Sequence, residues 1–100
     1  MMSAFNISPK ARLDLQDIWQ YTVMTWGEKQ AETYIRQLND GFRLLAQESE
    51  TGRDAGYIRE GYRKFPVGRH IIYYLTASEG GILIVRVLQE RMDVDRYLLE

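Results

Sequence analysis

The sequence has 100 residues, of which 45% are hydrophobic and 27% charged, with a net charge of −1, one histidine and no cysteine. This length predicts one domain over residues 1–100. The charge argues against non-specific nucleic-acid binding, and the residue counts argue against disulfides and a structural zinc site. Without a membrane-length apolar run or the apolar region of a signal peptide, we expect a cytoplasmic protein with no membrane contact, metal or cofactor.

The N-terminal half predicts a short strand followed by two helices. Residues 4–7 have strand character and suit a sheet edge. Ser8 is placed to cap a helix that begins at Pro9, because its side chain can accept a free backbone N–H and proline gives up no hydrogen bond there. Apolar residues recur at helical spacing up to Gly27 and again beyond it. Since the link is short, the two helices should form an antiparallel hairpin.

The C-terminal half predicts a sheet. The glycine-punctuated stretch 49–61 indicates a loop, long enough in a small domain to carry function. Pro66 favours an edge position for the strand that contains it, because proline donates no ladder hydrogen bond. Asp93 is placed to cap a short C-terminal helix. Strands are predicted at 62–67, 70–76 and 82–88, the last of them apolar on both faces as in a central strand.

The order β-α-α-β-β-β-α indicates the α+β class. A short N-terminal strand and an α-helical hairpin would pack on one face of a small antiparallel sheet, and a short C-terminal helix would follow. The other face of the sheet would stay open to a partner. The aromatic residues expected to face the core are Trp19, Trp26, Tyr34 and Phe42.

Few side chains suggest catalysis. Metal-free RNA cleavage needs a general base, a proton donor and cations around the phosphate. Strand alternation places His70 on the same sheet face as Tyr74 and opposite Tyr73, but a lone histidine in a strand is more often structural. Asp14 and Asp17 suit a solvated helix face better than a metal site. No glycine-rich phosphate loop is present. Binding is therefore favoured, and no catalytic residue is predicted.

Three stretches carry a family resemblance: SPKARLDLQDIWQYTVMTWG at 8–27, GYRKFPVGRHIIYYL at 61–75 and ILIVRVLQERMDVDRYL at 82–98. In this order they resemble the RelE/ParE superfamily of bacterial toxins, and its ParE branch most. The resemblance implies the toxin of a type II toxin–antitoxin system, which binds DNA gyrase and blocks replication. It also implies a ParD-like or related antitoxin, with operator DNA contacted only through that partner.

Two alternatives stay open. RelE-like relatives cleave mRNA on the ribosome, and the resemblance implies arginines and lysines at their active site. The matching positions here hold Arg63, Phe65, His70 and Glu90, and Gln89 stands where the family commonly has histidine. This departure weakens the ribonuclease interpretation. The third interpretation is an inactive homologue that serves as an operon-regulating binding module.

Residues 51–76 carry a net positive charge, because this segment contains five basic residues and only two acidic ones. We therefore expect the surface that acts on the target to lie in and near this segment. Its candidate residues are Arg59, Arg63, Arg69, His70 and Arg91.

The antitoxin is expected to contact exposed aromatic ground, since tyrosine gives a large contact area at low entropy cost. Tyr21 and Tyr62 fit a core face poorly and are candidates, together with Phe65 and Arg86. Arg86 has two interpretations. It projects from the open face if Leu83, Val85 and Val87 face the helices, or it pairs with a carboxylate such as Glu90 or Asp93.

Overall fold

A computed structural model describes residues 4–77 and 80–92. Five strands form one sheet in the order β1-β5-β4-β3-β2, and two helices follow the first strand in the chain. The elements are β1 Phe5–Ile7, α1 Pro9–Trp26, α2 Glu28–Gln47, β2 Arg53–Asp54, β3 Arg63–Val67, β4 His70–Thr76 and β5 Ile82–Gln89.

The helical hairpin forms as predicted. The Ser8 hydroxyl accepts the Ala11 N–H at 3.0 Å and donates to the Val85 carbonyl at 2.7 Å. One side chain therefore caps α1 and ties its start to β5. Gly27 ends α1 with φ of 94°, a backbone conformation that glycine adopts without strain, and α2 begins at the next residue.

The sheet is mixed rather than antiparallel, so that part of the fold prediction was wrong. β1 runs parallel to β5, pairing Phe5 with Ile82 and Ile7 with Ile84, while β2, β3, β4 and β5 pair antiparallel in turn. Parallel neighbours need a crossover connection, which here is the helices and the three strands after them. β1 lies at the edge, as expected, and the predicted C-terminal helix from Asp93 lies outside the described residues.

Two apolar clusters lie on opposite faces of the sheet. The first packs α1 and α2 against the sheet and includes Phe42, Ile72 and Tyr74. The second includes Ala55, Tyr62, Tyr73 and Leu88, with Ile58 packed against it. The loop expected at 49–61 therefore covers part of the face that was expected to be open. Tyr62 is only 6% exposed and lies in this second core, which corrects its assignment to the surface.

α1 buries fewer large side chains than its spacing predicts. Trp26 is 69% exposed and Trp19 36%, so their assignment to the core was wrong, whereas Phe42 is buried and Tyr34 half-buried. The buried residues of α1 are Ala11, Ile18 and Thr22. Small side chains at two of these positions let the helix approach its neighbours closely, and the tryptophans lie farther round it.

A β-bulge in β5 breaks the alternation assumed for Arg86. Tyr73 pairs with Arg86 and Tyr74 with Ile84, so Val85 has no residue directly opposite. As a result Ile84 and Val87 both belong to the helix-side core, whereas Val85 packs on the other face.

Arg86 forms a two-point ion pair with Asp14 of α1. Its Nε lies 2.8 Å from Oδ2 of Asp14, and a second guanidinium nitrogen lies 2.8 Å from Oδ1. The Val87 N–H also donates to Oδ2 at 3.0 Å. The pairing with a carboxylate was expected, but this carboxylate lies on the first helix.

Candidate functional site

A cleft of about 670 Å³ lies between the tip of the helical hairpin and one end of the sheet. The helices contribute aromatic and amide side chains, the β3–β4 turn contributes a cation and the histidine, and the residues at the end of β5 contribute charged groups. Its lining includes Tyr21, Trp26, Gln30, Tyr34, Gly68, Arg69, His70, Gln89, Glu90 and Arg91.

Tyr34 of α2 fastens the β3–β4 turn. Its hydroxyl donates to the Val67 carbonyl at 3.2 Å, accepts the Arg69 N–H at 3.2 Å and lies 2.6 Å from Nδ1 of His70. Gly68 has φ of 58°, and a Cβ there would lie 2.7 Å from the Tyr34 ring. The turn is thus held at a fixed position against the hairpin, with glycine required at its centre.

The electrostatics of this contact favour neutral groups. Burial lowers the pKa of His70 below its usual value, against the opposing charges of Asp14 and Glu90. Burial likewise raises the pKa of Tyr34, against the hydrogen bond from Arg69. Near neutral pH, His70 is therefore an uncharged ring with one nitrogen engaged by Tyr34. It acts here as a structural hydrogen-bond partner of the turn.

The cations of the cleft lie on its exposed rim. Arg69 and Arg91 are both exposed, as is Glu90 between β5 and Arg91. The Glu90 N–H donates to the Arg69 carbonyl at 3.0 Å, which joins the end of β5 to the β3–β4 turn. Tyr21 and Trp26 line the same cleft as these charged residues. Such a surface can bind a partner that offers both apolar and charged groups.

The structure brings together some of the predicted target-contact residues and separates the others. Arg69, His70 and Arg91 share the cleft with Tyr21, a predicted antitoxin contact. Arg63 is half-buried and donates to the Gly52 carbonyl at 2.7 Å, while Arg59 lies exposed in the turn that follows Ala55. The five candidates therefore do not form one surface.

The remaining predicted antitoxin contacts are engaged within the fold. Phe65 is half-buried and packs against the helix-side core, and Tyr62 lies in the second core. Arg86 is held by Asp14, and its side chain is 14% exposed. As contacts with an antitoxin, all three stay predictions.

The structural roles of two residues were not predicted from the sequence. Asp14 was assigned to a solvated face, yet it accepts three hydrogen bonds from β5. The hydroxyl of buried Tyr74 donates to Ser49 O at 2.7 Å and accepts the Gly52 N–H at 3.0 Å. Neither role leaves a local signal, because the partners of both lie more than twenty residues away.

A second, smaller groove of about 390 Å³ is lined by residues of α1, α2 and β1. Its floor is apolar, formed by Ile7, Leu15, Trp19, Ile35 and Phe42, with polar residues at the rim. No helix in the described ranges is long and apolar enough to cross a membrane. Within the same ranges, no group of three acidic or histidine residues could hold a metal ion.

Comparison with known proteins gives one consistent match. A family model described as "ParE toxin of type II toxin-antitoxin system, parDE" matches residues 5–94. The protein named Toxin ParE1 of Mycobacterium tuberculosis is 44% identical over 98 residues, which cover 98% of this chain and 100% of that one. Toxin ParE1 of Caulobacter vibrioides is 32% identical over 97 residues, 97% of this chain and 99% of its own.

The fold has a counterpart among solved structures. The structure described as "Chromosomal ParDE TA system from P. aeruginosa" superimposes with a TM-score of 0.75, covering 88% of this chain and 96% of that chain. At 19% identity, this match concerns the fold alone.

Proposed function

The chain belongs to the ParE toxin family of type II toxin–antitoxin systems, and from that premise we propose that it inhibits DNA gyrase by binding and thereby blocks replication. The observation that carries the proposal is the match to the ParE family model over residues 5–94, which spans every described helix and strand. Membership in a parDE system also implies a cognate ParD antitoxin as a partner.

We assign the contact with gyrase to the rim of the larger cleft. Arg69 and Arg91 are exposed there on backbone that is fixed by the Tyr34 hydroxyl and by the Glu90–Arg69 hydrogen bond. Cations on a preorganised backbone lose less entropy on binding than cations on a mobile loop. Arg63 is less suited to this role, because its guanidinium already donates to the Gly52 carbonyl.

The hairpin is our candidate for the antitoxin surface. Met24 is 88% exposed, Trp26 69% and Tyr21 62%, and Trp19, seven residues before Trp26, lines the apolar groove. An antitoxin segment that orders on binding would cover these side chains and bury their apolar area. Operator DNA would then be contacted through the antitoxin.

Binding, rather than catalysis, is the proposed mode of action. His70 is the single histidine of the chain, and Nδ1 of its ring is engaged by the Tyr34 hydroxyl at 2.6 Å. Glu90 brings negative charge to the rim where RNA cleavage would need cations around a phosphate. The first feature supports a structural role for the histidine, and the second supports a rim that binds a partner.

Two parallel assays test the proposal with the purified toxin. In the first, the toxin is added to gyrase during supercoiling of plasmid DNA, and in the second to ribosomes during translation. We expect lost supercoiling and accumulation of cleaved DNA, with mRNA left intact. Codon-dependent cuts in the mRNA would overturn the proposal in favour of a ribonuclease. Normal growth on induction without the antitoxin would instead indicate an inactive binding module.

Matched substitutions locate the surface. Arg69→Gln and Arg91→Gln should each weaken gyrase inhibition at least tenfold while leaving antitoxin affinity within about twofold. Arg12→Gln, an exposed arginine of α1, makes the same change of charge elsewhere and should inhibit like the unsubstituted toxin. Equal inhibition by all three variants would show that the cleft rim is not the gyrase contact.

A further inference from the structure

The edge of the sheet carries two cations directly opposite each other. In the register of β2 and β3, Arg53 pairs with Lys64 and Asp54 pairs with Arg63. Side chains of directly paired residues lie on the same face, about 5 Å apart at Cβ, and like charges there destabilise a sheet. The fold therefore holds a repulsive pair at this edge.

The strand that presents Arg53 is held firmly. The N–H of the preceding residue, Gly52, donates to the buried Tyr74 hydroxyl at 3.0 Å. The carbonyl of Gly52 accepts a hydrogen bond from the Arg63 guanidinium at 2.7 Å. A Cβ on Gly52 would collide with the same hydroxyl, so only glycine lets the chain approach this closely. These contacts fix the backbone beside Arg53 before any ligand arrives.

Lys64 is steered by an exposed tyrosine. Its Nζ donates to the Tyr57 hydroxyl at 2.7 Å and lies 5.2 Å from the centre of that ring. Tyr57 is 73% exposed, and its hydroxyl, once it accepts from the lysine, still has a proton to donate.

Within the described residues, no acidic neighbour neutralises this pair. Across residues 4–77 and 80–92, no carboxylate lies within ion-pair distance of Arg53 or Lys64. The carboxylate nearest in sequence, Asp54, accepts the Gly56 N–H at 2.8 Å instead. The pair thus lacks a counter-charge from the described chain.

We propose that Arg53, Lys64 and the Tyr57 hydroxyl form a contact for the phosphate backbone of DNA. Lysine, arginine and tyrosine are residue types that bind phosphate oxygens, whereas lysine is depleted in the core of protein interfaces. The inference rests on the proposed function, because gyrase is what would bring DNA to this toxin. With a net charge of −1, the toxin alone should hold a duplex weakly and without sequence preference.

The test measures the salt dependence of duplex binding without gyrase. A fluorescent duplex is titrated with the full-length toxin at several low salt concentrations, and its anisotropy is recorded. Arg53→Gln and Lys64→Gln should each weaken binding and lower the slope of log K against log salt by about 0.9, because each removes one phosphate contact. The double variant should lower it by about twice as much, and Lys64→Arg should retain most of the slope.

Arg12→Gln is the control, since it removes the same charge from an exposed site on α1. A slope of the double variant equal to that of this control overturns the proposal, as does an unsubstituted toxin that binds no duplex at low salt. Urea unfolding, measured on each variant, reports folding. A double variant that loses antitoxin affinity while binding DNA like the control would assign the pair to the antitoxin and also overturn the proposal.

Gyrase capture in the absence of DNA separates this inference from the proposed function. The double variant should bind gyrase normally there and yet trap less cleaved DNA. If the toxin captures no gyrase but its duplex binding depends on Arg53 and Lys64, the gyrase proposal fails and the phosphate contact stands. If the toxin captures gyrase and the salt slopes of the variants match that of the control, the gyrase proposal stands and the phosphate contact fails.

Discussion

Asp14→Ala should be among the most damaging single substitutions on α1. The carboxylate accepts two hydrogen bonds from Arg86 and one from the Val87 N–H, and the paired side chains are only 11% and 14% exposed. Removing one member of a buried ion pair costs about 3–5 kcal/mol. We expect the lower end, about 3 kcal/mol, since water retains some access to the pair.

Urea unfolding provides the measurement. With an m-value of about 1.5 kcal/mol per molar, a loss of 3 kcal/mol moves the midpoint by about 2 M. Asp17→Ala, exposed on the same helix, is the control and should change stability by less than about 0.5 kcal/mol. A double-mutant cycle with Arg86→Ala should give a coupling energy of about 2 kcal/mol. A midpoint shift no larger than that of the control, or a coupling energy near zero, would refute this reasoning.

Three further outcomes follow from single contacts. Tyr74→Phe should cost about 1–3 kcal/mol in urea unfolding and speed amide exchange at Gly52, because the loop loses both bonds to the hydroxyl; unchanged exchange would contradict this. Burial lowers the pKa of His70 below its usual value of 6.5, so the unfolded chain takes up a proton on this ring before the folded one does. The stability that neutral His70 contributes is therefore complete above pH 6.5 and is lost as the pH falls below that value. The urea midpoint should therefore drop between pH 7 and pH 5, and His70→Gln should reduce that drop; an equal drop in both proteins would argue against it. Trp26→Ser should weaken antitoxin binding at least tenfold while leaving the melting temperature unchanged, because the ring is 69% exposed; intact affinity in calorimetry would place the antitoxin elsewhere.

Elements with a local chemical signature could be predicted from the sequence. The Ser8 cap, Pro9 and Gly27 fix the ends of α1 within a few neighbouring residues, and the structure has the helix there. Strand alternation likewise placed His70 and Tyr74 opposite Tyr73, as the two cores confirm. In each case the residues that determine the outcome are close together in the chain.

Features that depend on distant partners could not be predicted. Asp14 and Arg86 are 72 positions apart, and nothing near either one marks the other. The bulge at Val85 shifts the alternation of side chains along β5, and this strand contains no glycine that would mark a bulge in the sequence. Tyr62 was expected at the surface and is buried, whereas Trp26 was expected in the core and is exposed. Burial depends on which loop or helix covers a position, and the local sequence does not show this.

The candidate site was predicted only in part. Arg69, His70 and Arg91 were grouped from charge and resemblance, and they share one cleft. Arg59 and Arg63 were grouped with them because they are close in sequence, but β3 carries Arg63 to the far end from the turn. Charge along a chain shows which segment is basic, whereas the sheet register determines which cations meet.

The parallel pairing of β1 with β5 also sets the order in which a newly made chain can fold. Phe5 pairs with Ile82, so β1 can join the sheet only after β5 has been made. Until then the helical hairpin lacks the part of its core that β5 supplies through Ile82, Ile84 and Val87. A message that is cut or stalled before codon 82 should therefore yield no folded toxin.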